Sequence, residues 1–167
     1  MAHASAYSAV KSALVTRLNT RAGTGLAGVN ISYQAPVKAP DVNARGTRES
    51  IFFDDATGTF SNVLLTAGDL RFDEEFVLAM VIQVLRPTST GTQQVADERA
   101  QELLYEVFDE LAGQDGWTLS DLDLDIFDYF QVTPATQEWE TGFLPSGAGH
   151  AARCVIGLFV QARRSFP

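Results

Sequence analysis

The chain is 167 residues long and 46% hydrophobic, with a formal net charge of −9, enough for one domain with an ordinary packed core. A protein that holds nucleic acid by neutralising phosphates needs a basic surface, so this balance argues against that as the main task. Cys154 stands alone, which excludes an intramolecular disulfide, and no apolar run reaches the ~18 residues of a membrane-spanning helix.

The first residues, MAHASAYSAVKSAL, lack the charged-then-apolar order of a secretory signal, so a protein made and used in a cytoplasm is expected. From Ala4 to Arg21, Val10, Leu14 and Leu18 recur at helical spacing, which predicts an amphipathic helix. Gly23, Gly25 and Gly28 then mark its end. Val29, Ile31 and Tyr33 alternate as in a short strand, and APVKAPDVNARGTRES, residues 35–50, reads as a long exposed loop. SIFFDD predicts a strand closed by ATG, and TFSNVLLTAGDLRF reads as strand or irregular structure ending in a turn at Ala67-Gly68-Asp69. A long strand follows from Glu74 to Arg86, stopped by Pro87. After the turn PTSTGT, residues Thr92 to Ala112 predict a helix whose apolar face carries Ala96, Ala100, Leu103, Leu104, Val107, Phe108 and Leu111. Gly113 stands where a helix often closes. TLSDLDLDIFDYFQV alternates like a strand, TPATQEWETGFLPSGAGH reads as a long connection, and AARCVIGLFVQARR as a closing strand. Helix, three or four strands, helix and two strands imply an α+β fold: an antiparallel or mixed sheet with two helices on one face and long inter-strand loops.

The strand EEFVLAMVIQVLR poses a physical question. Phe76, Leu78, Met80, Ile82 and Val84 make one apolar face, but Val77, Ala79, Val81 and Leu85 make the other almost as apolar. Two helices can roof only one. The second face, with Val155 and Phe159 from the closing strand, would leave large side chains exposed at roughly 1.5–3 kcal/mol each. The strand could also run to about 40 Å at ~3.4 Å per residue, beyond the usual five or six residues. Either the chain's own long loops or a neighbouring subunit must cover this face; the strand's length favours an interface with another subunit, formed by Val77, Val81, Leu85, Val155, Phe159, Arg153 and Arg163.

Side chains able to do chemistry do not converge. Asp121, Asp123 and Asp125 imitate a calcium loop, but Ile126 replaces the sixth-position glycine and Val132 the closing glutamate. They read instead as the acidic face of a strand, which calls for an arginine partner from Arg153, Arg163 or Arg164. His3 and His150 lie far from metal-ligand spacing and read as surface loop residues. The glycines of GTGLAG follow a helix rather than a strand and precede no Gly-Lys-Ser/Thr, so no phosphate loop is expected. Ser146 in PSGAGH makes no nucleophile elbow. Glu138 and Glu140 flank Trp139 like a sugar-binding pair, which alternation in a loop explains equally well. Cys154, in an apolar strand, reads as a buried inert thiol. No enzyme, cofactor or metal is expected.

The segment RFDEEFVLAMVIQVLRPTSTGTQQVADERAQELLYEVFDELAG, residues 71–113, resembles the tail terminator proteins of long-tailed bacteriophages of high-GC actinobacterial hosts. It has their charged lead-in to a long strand, short polar turn and acidic helix. The resemblance extends as an order of elements across most of residues 1–167, as one tail-terminator-like domain. It implies a structural virion protein of the neck, assembled in the host cytoplasm. Such a protein forms a six-fold homo-hexamer ring, caps the tail tube, ends its polymerisation and presents a surface for head docking. Its implied partners are copies of itself, the tail-tube protein and the head–tail adaptor, with DNA passing through without specific binding. Asp121, Asp123 and Asp125 are then candidates for an acidic pore lining. Two other readings remain open. One is a neighbouring neck component such as a head-completion adaptor. The other is a small monomeric ligand-binding module whose pocket is formed by the loops APVKAPDVNARGTRES and TPATQEWETGFLPSGAGH.

Overall fold

The computed structural model describes residues 6–20, 25–38, 40–66, 69–111, 129–143 and 149–166. Its elements are α1 (Ala6–Thr20), β1 (Asn30–Ser32), β2 (Arg48–Thr66), β3 (Asp69–Pro87), a 3-10 turn (Thr88–Thr90), α2 (Gln93–Leu111), β4 (Tyr129–Phe143) and β5 (Gly149–Phe166). Five strands form one sheet in the order β1-β2-β3-β5-β4. β1 runs parallel to β2, and every other neighbouring pair is antiparallel. The α+β architecture with a mixed sheet is thus as the element order predicts.

Alternation along β3 decides which face the helices take. Phe76, Leu78, Met80, Ile82 and Val84 are all buried, in one cluster with Val10, Leu14 and Leu18 of α1 and Ala96, Ala100, Leu103, Leu104 and Val107 of α2. β5 adds Ala152, Cys154, Ile156, Leu158 and Val160 from the same face. Each large side chain in this layer contributes roughly 1.5–3 kcal/mol by leaving water. The described helices lie within two residues of their predicted limits, because apolar spacing marks both.

Two expectations are corrected. ATG does not close a strand; β2 runs unbroken from Arg48 to Thr66 and pairs with β3 to the Thr66–Asp69 end. A register shift between Phe53 and Ala56 absorbs Asp54 and Asp55, so polar residues that look like a turn form a bulge. Gly58 is there for close approach, since an added Cβ would meet the Phe76 Cβ at 2.3 Å. TPATQEWETGF is likewise strand rather than connection, the body of β4. Pro134 is accommodated because, among the described strands, β4 lies at the sheet edge and shifts register just after it.

Of the exposed loop expected over residues 35–50, the earlier part is open, with Val37 98% accessible, whereas Thr47 is fully buried and Arg48–Ser50 belong to β2, with Glu49 and Ser50 buried. Asn43 organises its end: the side-chain oxygen accepts from the N–H groups of Arg45 at 3.0 Å and Thr47 at 3.1 Å. Gly46, at φ 75°, supplies the left-handed residue that the turn needs.

Candidate interface on the second sheet face

Register places the seven expected interface residues on one surface. Val77 lies opposite Phe159, Val81 opposite Val155, Leu85 opposite Ala151, Gln83 opposite Arg153, and Asp73 opposite Arg163. These odd-numbered positions face away from the helices. β2 adds Phe52 beside Val81, and β4 adds Thr133 beside Phe159 and Glu138 beside Val155.

The surface has an apolar centre between two polar ends. At one end Arg163 grips Asp73 with two bonds, at 2.7 and 3.0 Å, and Gln161 donates to Glu75 at 3.0 Å. At the other end Arg153 donates to Glu140 at 2.8 Å. Between them lie Val77, Ala79, Val81, Val155 and Phe159. Exposure within this centre is uneven. Val81 is fully buried and Phe52 nearly so, whereas Val77 is 38% accessible, with Leu85, Val155 and Phe159 half-buried. The second face is therefore less open than the alternation implies: Val81 is covered within its own chain, and Val77 is the large residue that stands out. An apolar middle with a polar, internally paired rim is the anatomy of a protein–protein contact.

The arginine pairing expected for the acidic run does not rest on described residues, since Asp121, Asp123 and Asp125 lie outside them. Among the described residues, Arg163 bonds Asp73 and Arg153 bonds Glu140 across neighbouring strands. His150 belongs to β5, half-buried opposite Arg86, rather than to a surface loop. Glu138 and Glu140 face the second surface from β4, while Trp139, opposite Cys154, points to the helix side. His3 and Ser146 lie outside the described residues. Cys154 is fully buried, and that burial pushes its thiol up to about 11.

Two features carried no clear sequence signal. The first is a buried ion pair. Glu49, on the helix side of β2, accepts bonds from Arg99 Nε at 3.1 Å and Nη2 at 3.0 Å, and from the Thr47 hydroxyl. Arg99 also donates to the Gly25 carbonyl and the Glu102 carboxylate, each at 3.0 Å. Burial alone would push the Glu49 carboxyl up; the Arg99 and Thr47 bonds outweigh it and hold the group below its ordinary 4.5. This network ties α2, the start of β2 and the loop after α1 to one another. Its only trace in the sequence is Arg99 standing between Ala96 and Leu103 on an apolar helix stripe. The second feature is a cleft of about 540 Å³ along β2, lined by Tyr7, Asp55–Thr59 and Glu74–Phe76, with Tyr7 edge-on to Phe76 at 6.1 Å.

Among the described residues, no group of three His, Cys, Asp or Glu side chains is placed to hold a metal ion, and no helix is long and apolar enough to cross a membrane. No protein-family model and no curated protein matches the chain.

Proposed function

We propose that this protein is a ring-forming structural component of a long-tailed phage neck, and specifically the tail terminator that caps the tube. The observation that carries this reading is the second sheet face, an apolar centre on β3 and β5 between paired charges, with Val77 open at its middle. Such a patch suits a neighbouring subunit, and a head-to-tail contact closes into a ring when its rotation divides a full turn. The length of β3, 19 residues, suits an element shared across subunits better than one enclosed in its own domain, where five or six is usual. The net charge of −9 suits a passage that DNA crosses without sticking, because like charge suppresses phosphate contacts. Virion location and the head-docking role belong to the same reading.

The decisive experiment adds the purified protein to polymerising tail-tube protein. A terminator stops tube growth and appears as an end-on ring at the tube tip. Unchanged tube length with no bound ring would refute the assignment, and binding to the portal instead would favour the neighbouring neck component. The cleft beside Tyr7 and Phe76 favours one other reading, a monomeric binding module. A chain that stays monomeric at all concentrations and beside tube protein would support it.

A further inference from the structure

Between β1 and β2 the chain leaves the sheet as a strap held at both ends. At its start the Ser32 hydroxyl donates to the Gln34 carbonyl at 2.8 Å, and the Lys11 ammonium lies 4.5 Å from the centre of the Tyr33 ring. At its close the Asn43 N–H donates to the Thr47 carbonyl at 2.8 Å. The described residues between these clamps, 35–38 and 40–42, are mostly open. Val37 is 98% accessible and Val42 47%. Lys38 and Asp41 are exposed, and neither has a side-chain bond among the described residues. A valine as open as Val37 touches almost nothing of its own chain, so the strap does not roof its own sheet. Pro36 and Pro40 narrow the range of conformations that the strap loses on docking. Of the two lysines in the chain, Lys11 is buried and Lys38 is the one on the strap.

The second sheet face offers a matching surface. Ala79 and Gly157 stand opposite each other there, a low point between Val77 and Phe159 on one side and Val81 and Val155 on the other. Glu138, opposite Val155 on β4, is exposed and has no side-chain bond among the described residues. Arg153 gives one nitrogen to Glu140 and is 33% accessible. From Gly157, Glu138 lies two residues along and one strand across, about 8 Å at ~3.4 Å per residue and ~4.8 Å per strand. That is the span from a residue seated on Gly157 to the ammonium of a lysine following it. From Glu138 to Arg153 is again two residues and one strand, about 8 Å. Lys38 and Asp41 are three positions apart, which places them on one side of an extended polyproline-type strap at about 9 Å. Charge therefore runs positive then negative on the strap and negative then positive on the sheet, at similar spacing. We infer that the strap of one copy lies across the second sheet face of the next, with Val37 on Ala79 and Gly157, Lys38 paired to Glu138 and Asp41 to Arg153. This deepens the ring-forming reading and rests on it. The strap leaves from the β1 side of the described sheet, whereas Glu138 is on β4 at the other side. Each copy thus gives at one side and receives at the other, the head-to-tail arrangement that a ring needs.

Carbodiimide coupling tests it on the unaltered chain, with and without tube protein. The reagent joins an amine to a carboxylate in contact with it, with loss of water. Lys38 is the exposed lysine, so mass spectrometry should find a Lys38–Glu138 amide, and only in covalent dimers and larger species. Charge exchange gives a second readout by sedimentation. K38E and E138K should each weaken self-association at least about tenfold, by setting like charges together, and the double variant K38E/E138K should recover to within about threefold of the native chain. Both side chains are exposed, so the Tm of each single variant should hold within about 2 °C. A Lys38–Glu138 amide in monomers would mean that the strap roofs its own sheet, which overturns the proposal. Rings that form with neither the amide nor any sensitivity to K38E overturn the strap and leave the ring reading standing. Monomers at every concentration, with and without tube protein, overturn both.

Discussion

Replacing Arg99 by Met strands a carboxylate. The Glu49 side chain is fully shielded from water, and two of its bonds, at 3.1 and 3.0 Å, come from Arg99. Met keeps much of the arginine stem's packing among the residues of α2, so the loss is chiefly electrostatic. The Thr47 hydroxyl remains, and Arg45, at 3.9 Å, is too exposed to compensate. Removing one partner of a buried pair costs about 3–5 kcal/mol. At roughly 2.1 cal/mol/K per residue, a chain of this length has an unfolding entropy near 0.35 kcal/mol/K, so Tm should fall by about 10 °C. Thermal unfolding followed by circular dichroism at pH 7 reads this directly. The sign with pH is also fixed. In the native protein the carboxyl is held below 4.5, so its contribution is present above that pH and is lost as pH falls through the lowered value. In R99M burial acts unopposed by the arginine and raises the same carboxyl. Acid then neutralises the stranded charge, and the gap to the native protein should narrow between pH 7 and pH 4. The double variant E49L/R99M, which leaves no buried charge unpaired, should recover much of the loss. A Tm drop under about 3 °C at pH 7, or a gap that widens with acid, would refute the reasoning.

Val77→Asp should leave monomer Tm within about 2 °C, since the position is open, yet weaken self-association at least tenfold by placing a charge in an apolar contact; sedimentation that is unchanged would count against the second face as an interface. Cys154, buried with its thiol pushed up to about 11, should resist a thiol reagent at pH 8 until denaturant is added, and rapid native labelling would contradict its placement. Gly58→Ala forces a methyl to within 2.3 Å of the Phe76 Cβ and 2.5 Å of the Glu75 carbonyl, so urea unfolding should show a loss of about 1–3 kcal/mol.

What could be read beforehand follows the range of the interaction. α1, β3 and α2 are written in local spacing, and Pro87 ends β3 because it supplies no further N–H. Sequence pattern misplaces β2 and β4 because Asp54, Asp55, Gly58 and Pro134 carry turn composition, while their strand state comes from neighbours on the sheet. The candidate interface set is half legible. Period two puts Val77, Val81 and Leu85 on one side of β3 and Arg153, Val155, Phe159 and Arg163 on one side of β5. Only the pairing of Val77 with Phe159 shows that the two sides are the same surface. Glu49 and Arg99 are 50 positions apart, and no local pattern joins them.

The pairing of β3 with β5 also sets a schedule for synthesis. β3 ends at Pro87 and its second neighbour begins at Gly149, so about 60 residues must be made before the sheet can close. At ~5–20 residues per second that interval lasts on the order of several seconds. During it the β2–β3 hairpin has one finished seam and one raw one, open to other nascent chains. Slow translation through α2 and β4 should therefore lower the yield of folded protein more than slow translation before β2.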